Sequence, residues 1–158
     1  MPTPKLTHAG VVLATAAAIV GGAVAAPASS SRAQTLTYTG KFNDLANARA
    51  FLEVKFRSGE PQRGSFSARH VLVACDTGFE RRNFRAIRVH FHSNRSFDAT
   101  RYTNPAPGQE RYYRVEGELR RHGRAAGELT FFSNSAASGE PDCSFNTGRL
   151  FWKGRRDR

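Results

Sequence analysis

Beyond residue 33, apolar side chains recur at every second position in short runs, and the breaks between runs are rich in Gly, Pro, Asn and Ser. That is the pattern of half-buried β-strands. Leu36, Tyr38 and Phe42 mark the first run. Leu52, Val54 and Phe56 mark the second, with Glu53, Lys55 and Arg57 on its other face, and Ser58-Gly59-Glu60-Pro61 then turns the chain. In the third run, Phe66 to Cys75, Val71, Val73 and Cys75 share one face while Phe66 and Leu72 share the other, so the strand changes its buried face or is buried on both. The fourth, Phe84 to His92, sets Ile87, Val89 and Phe91 against Arg88, His90 and His92, and Phe97 and Ala99 continue as its hairpin partner. Tyr113, Val115, Gly117 and Leu119 lead through a turn at His122-Gly123 to Ala125, Gly127, Leu129 and Phe131, a second hairpin. Leu150 and Trp152 belong to a last strand after Thr147-Gly148.

Seven or eight such strands without helical periodicity predict one all-β domain over residues 34–152, an antiparallel β-sandwich with a flattened β-barrel as the alternative. Its core is expected around Leu52, Val54, Phe56, Val89, Phe91, Val115, Leu129 and Trp152. Residues 153–158, Lys153 to Arg158, are expected to form a basic tail that frays.

The first 33 residues change this picture. Ala9 to Ala26 is a run of small apolar residues, preceded by Lys5 and followed by Pro27 and three serines, the layout of a secretory signal peptide. Small-x-small sites place cleavage after Ala25, Ala28 or Ala33; the alternative is an uncleaved membrane anchor, against which the many alanines and glycines argue. An exported chain meets oxidising conditions, so the only two cysteines, Cys75 and Cys143, are expected to form one disulfide that staples a small domain. For a separation of 68 residues the chain-entropy model gives about 4 kcal/mol, against a typical net stability of about 5–15 kcal/mol. No Cys-x-x-Cys spacing suggests redox chemistry.

Charge narrows the partners. Without Lys5 and Arg32 the chain carries 22 basic and 13 acidic residues, a balance that favours anionic partners such as an acidic envelope polymer. Twenty of the 24 basic residues are arginine, a bias that a GC-rich genome produces by itself, so the total alone names no ligand. Two tight clusters stand out as candidate anion-binding residues: Arg81, Arg82 and Arg85, and Arg120, Arg121 and Arg124.

Three spacings occur together: Val115-x-Gly117-x-Leu119, Ala125-x-Gly127-x-Leu129, and Cys143-x3-Thr147-Gly148-x3-Trp152. In combination they resemble a group of small secreted β-domains from high-GC Gram-positive bacteria, in which a first cysteine ends an early strand as Cys75 does here. The resemblance implies secretion, an all-β fold and the bridge, and carries no activity. Asp76-Thr77-Gly78 and the closely spaced histidines lie outside its pattern.

The sharpest constellation for chemistry is His90-Phe91-His92, because alternate residues of a strand share a face and two imidazoles can chelate one metal if a neighbouring strand adds a third ligand. A three-residue loop at Asn94-Arg95-Ser96 pairs His92 with Asp98 and supplies that ligand. A simple cross-strand imidazole–carboxylate pair explains the same geometry without a cofactor. Arginine and tyrosine interleave at Arg101-Tyr102 and Arg111-Tyr112-Tyr113-Arg114, but outward carboxylates at Glu116 and Glu118 interrupt the stripe, which argues against a nucleic-acid groove. Glu116, Glu118 and Glu128 can meet on paired strands, and nothing singles them out as a glycosidase pair. The chain has no Gly-x-Ser-x-Gly elbow, His-Glu-x-x-His or Ser-x-x-Lys motif. The expected function is therefore a secreted, non-catalytic binding or envelope-associated module. The alternatives are a small metal-dependent enzyme on His90, His92 and Asp98, or an inhibitor-like module that holds another secreted protein through the loops at 103–110 and 133–142.

Overall fold

The computed structural model describes residues 32–103, 110–134 and 141–158. Residues 1–31, with the proposed export signal and the sites at Ala25 and Ala28, lie outside these, as do 104–109 and 135–140 of the two long connections. No helix among the described residues is long and apolar enough to cross a membrane.

The strands are β1 (Gln34–Phe42), β2 (Leu45–Arg57), β3 (Glu60–Cys75), β4 (Gly78–Phe91), β5 (Ser96–Thr103), β6 (Glu110–Arg120), β7 (Arg124–Asn134), the two-residue β8 (Cys143–Ser144) and β9 (Leu150–Arg156). Each long strand pairs antiparallel with the next, β9 pairs with both β7 and β1, and the sheet closes on itself as a ring. The all-β antiparallel fold is as the alternation predicts. Of its two arrangements the ring is the barrel, because β9 continues four residues past Trp152 and hydrogen-bonds to the first strand instead of leaving two sheet edges free.

That same pairing corrects the expected tail. Lys153 to Arg156 form the closing strand, with Lys41 opposite Lys153, Gly40 opposite Gly154 and Thr39 opposite Arg155. The side chain at Trp152 points inward, so residue 154 does too, and a Cβ there would stand 3.1 Å from the Thr39 carbonyl oxygen. Glycine lets the two backbones approach at this seam.

Inside, Trp152 is the largest fully buried side chain. It occupies one inward row in which Phe42, Trp152, Gly127, Gly117 and Phe97 face one another across five strands. A Cβ at Gly117 would lie 2.6 Å from the Phe97 ring, and one at Gly127 would lie 3.0 Å from the indole Nε1. The glycines of the two Gly-containing motifs thus leave the room that the tryptophan and phenylalanine fill, large against small as a narrow barrel requires. Phe66 packs on Trp152 at 5.3 Å and Phe97 at 6.3 Å. Leu52, Val54, Val89, Val115 and Leu129 complete this core, whereas Phe56 and Phe91 are half-buried at its margin. A second aromatic group, Phe84, Tyr113, Phe131 and Phe145, fills the other end, with Phe84 5.1–6.0 Å from the other three rings.

The change of face in the third run is a β-bulge. Phe66 and Ala68 are buried, His70 takes φ +56°, and from Val71 onward the opposite parity faces inward, which leaves Leu72 outside. The His70 N–H, displaced from the ladder, donates to Asn83 Oδ1 at 2.9 Å. Beyond that bulge β3 ends at Cys75, directly opposite Cys143 of β8, and the two are disulfide-bonded. β8 also pairs with β7, so the bridge ties the end of the β3–β4 hairpin to the β6–β7 hairpin.

Candidate anion-binding face

Antiparallel register decides which charged residues meet, since directly opposed side chains on one face stand about 4.5–5.5 Å apart at Cβ. On the outer face of β1, β9, β7 and β6 it brings cations together repeatedly. Lys41 is opposite Lys153, Arg155 is opposite Arg124, and Arg124 is opposite Arg120 across the turn at Arg121-His122-Gly123. These five residues and Thr39 rim a groove of about 520 Å³ whose floor is made of small residues, Ala125, Ala126 and Gly154. Arg120 is paired with Glu118 at 2.5 Å. Among the described residues no carboxylate pairs with Lys41, Arg124, Lys153 or Arg155. Like charges directly opposite one another destabilise a sheet, and four of these five cations have no ion-pair partner on this face among the described residues, although Glu118, paired with Arg120, and Asp157, which accepts from Thr39 Oγ1, border it.

The two expected arginine clusters do not converge. Arg81 and Arg85 lie on β4, which is diametrically across the ring from β9. Arg82 leaves the surface: its guanidinium pairs with Glu80 at 3.0 Å, donates to Cys143 Sγ at 3.3 Å and lies over the Phe131 ring. Arg121 is exposed in the turn. Of the second cluster, Arg120 and Arg124 join the groove, and Lys41, Lys153 and Arg155 are members that sequence reasoning missed. The signal was present, because Leu150, Trp152 and Gly154 alternate with Phe151, Lys153 and Arg155 without interruption.

The histidine constellation is partly assembled. The β4–β5 loop is Ser93-Asn94-Arg95, with Arg95 at φ +66° and the His92 N–H donating to Ser96 C=O at 2.9 Å. This moves the pairing two residues from the expected register: His90 is opposite Asp98 and Phe91 opposite Phe97. A shift of two preserves the face, so Asp98 still meets His92 diagonally, Nε2 to Oδ1 at 2.6 Å, on an exposed surface. His90, His92 and Asp98 do not bring one ligand atom each within 4.8 Å of one another. Cys75, Glu80 and Cys143 do, and there the sulfurs are spent in the bridge.

Glu116 and Glu128 are directly opposed on β6 and β7, and each has a cation: Arg114 pairs with Glu116, and Arg149 with Glu128 at 3.3 Å. Tyr112, Arg114, Glu116, Glu118 and Arg120 all point outward from β6 as the alternation requires, with Tyr113 inside. The Tyr113 hydroxyl donates to the Arg85 carbonyl at 2.5 Å, and burial raises its pKa above the ordinary tyrosine value while Arg101 beside it pulls the other way.

Comparison of the chain with protein-family models, with curated proteins and with solved structures gives no match in any of the three.

Proposed function

We propose that this is an exported, non-catalytic binding domain that captures an anionic polymer of the cell envelope on the basic outer face of β1, β9, β7 and β6. One observation carries the reading. Five cations from four strands are set side by side across the ladder, and four of them have no carboxylate partner among the described residues. A fold indifferent to ligands gains nothing from opposing Lys41 to Lys153 and Arg155 to Arg124. A polyanion laid along the groove gives these charges partners that the protein lacks, with arginine forks suited to phosphate or carboxylate oxygens. The signal-like residues 1–33 and the Cys75–Cys143 bridge support an extracytoplasmic setting.

Binding to inorganic polyphosphate is the direct test. Lys153→Glu combined with Arg155→Glu should weaken binding by about tenfold or more near 0.1 M salt, with a steep loss as salt rises further. Arg81→Glu with Arg85→Glu, across the ring, makes the same change in net charge and should cost far less. Equal losses from the two pairs would reduce the effect to overall charge and overturn the site.

A further inference from the structure

The outer face is banded. Some eight residues along β6 from Arg120, or about 27 Å at strand rise, an aromatic row replaces the basic one. Tyr102, Tyr112 and Phe132 are directly opposed on β5, β6 and β7, with ring centroids 5.7 and 5.8 Å apart, and Tyr102 is 65% exposed. The next row inward along the strands is Thr100, Arg114 and Thr130, and the one after it holds Glu116 and Glu128. A wall stands beside these rows at Thr147 to Arg149. The Gly148 N–H donates to the Phe145 carbonyl at 2.8 Å, and Phe145 is buried against Phe84 and Phe131, so the wall is anchored in the core. Together they enclose a groove of about 670 Å³. That lies within the range of about 300–1,000 Å³ typical of small-ligand sites.

Charge selects what fits. The Arg114–Glu116 and Arg149–Glu128 pairs cancel, and Glu110 at the rim leaves a negative balance, which disfavours phosphate or a charged ring. The tyrosine faces offer an apolar platform, and threonine hydroxyls, carboxylate lone pairs and guanidinium N–H groups surround it. A ligand that suits both is flat and apolar on one face and rich in hydroxyls at its edge, which describes a neutral pyranose. A nucleobase stacks equally well on tyrosine but would bring its phosphate against Glu110 and Glu116. The two grooves are joined by a third, of about 470 Å³, that shares Glu116 and Glu128 with the aromatic one and Arg120 and Lys153 with the basic one. A polymer whose charged rings lie on the basic groove and whose neutral rings pass Glu116 and Glu128 can therefore follow the whole face.

We propose that the Tyr102–Tyr112 groove binds neutral sugar rings, and that the polymer held by the basic face is an acidic glycan. The proposal rests on the basic-face reading above. It is tested by measuring binding of the protein to polyphosphate, to hyaluronan, in which neutral and charged rings alternate, and to alginate, in which every ring is charged, at low and high salt. Tyr102→Ala should weaken binding to hyaluronan fivefold or more, most clearly at high salt, while leaving polyphosphate and alginate unchanged; Tyr102→Phe, which keeps the stacking face, should retain it. Hyaluronan binding indifferent to Tyr102→Ala, no hyaluronan binding beside intact polyphosphate binding, or an equal loss for polyphosphate overturns the groove and leaves the basic face standing. Failure to bind polyphosphate, hyaluronan and alginate at low salt overturns both.

Discussion

Around Trp152 every strand of the ring is hydrogen-bonded to both neighbours, whereas toward the Cys75–Cys143 bridge β4 and β5 part after the pairs at His90–Asp98 and Phe91–Phe97. Tyr113 spans that parting with its hydroxyl on the Arg85 carbonyl, and β8 with its disulfide holds β3 to β7 on the far side. The difference teaches where closure comes from. Where the ladder is continuous, backbone pairing closes the barrel and the interior needs only to fit, glycine against tryptophan. Where the ladder is broken, a covalent bond and a buried side chain take its place.

The hardest blow to the first region is Trp152→Ala, which empties the space prepared by Gly40 and Gly127. Denaturant unfolding should show a loss of about 3–5 kcal/mol. A loss below about 1 kcal/mol would mean that the row of glycines does not matter to the ring. Reducing the bridge, or replacing both cysteines with serine, should cost about 4 kcal/mol on the chain-entropy estimate. Here the location sharpens the comparison. Hydrogen exchange should accelerate first in β8 and at the Val71–Arg82 end of the β3–β4 hairpin, with the β1–β9 ladder the last to respond. Uniform acceleration would mean that the two ends are a single cooperative unit.

The smallest effect concerns Tyr113. Tyr113→Phe deletes one buried hydrogen bond and should cost about 1 kcal/mol. It should also change the alkaline limb of stability. Burial raises the Tyr113 pKa, so above pH about 10 the unfolded chain loses this proton while the folded one keeps it, and stability falls as pH rises. Removing the hydroxyl removes that part of the decline, and Tyr38, raised by the same cause, keeps its own share. An unchanged alkaline limb in Tyr113→Phe would detach Tyr113 from the closure.

Much of this was legible along the chain because a strand's parity is a local property. The inward set on β6, β7 and β9, the turns at Ser58-Gly59 and His122-Gly123, and the switch of face between Phe66 and Val71 all follow from counting by two. Depth of pairing is not local. The β4–β5 hairpin slid by two residues because Ser93-Asn94-Arg95, with Asn94 Oδ1 accepting from the Ser96 N–H, makes the better three-residue turn, and parity cannot see a shift of two. The basic face was half visible for the same reason. Arg120 and Arg124 are neighbours through one turn, but Lys41 reaches Lys153 only through a pairing between the first and last strands. The charge of Lys153 to Arg156 suggested fraying and hid the alternation that makes this segment a strand.

The seam between β1 and β9 also sets an order of events. It joins Tyr38 to Arg156 and is finished by the Asp157 N–H on the Thr37 carbonyl and by Thr39 Oγ1 on the Asp157 carboxylate. A chain delivered from its N-terminal end therefore leaves one edge of β1 without its partner until β9 follows. β9 is the strand that covers it. The ring closes only when β9 docks, and without it the half of the basic groove that β9 supplies does not exist.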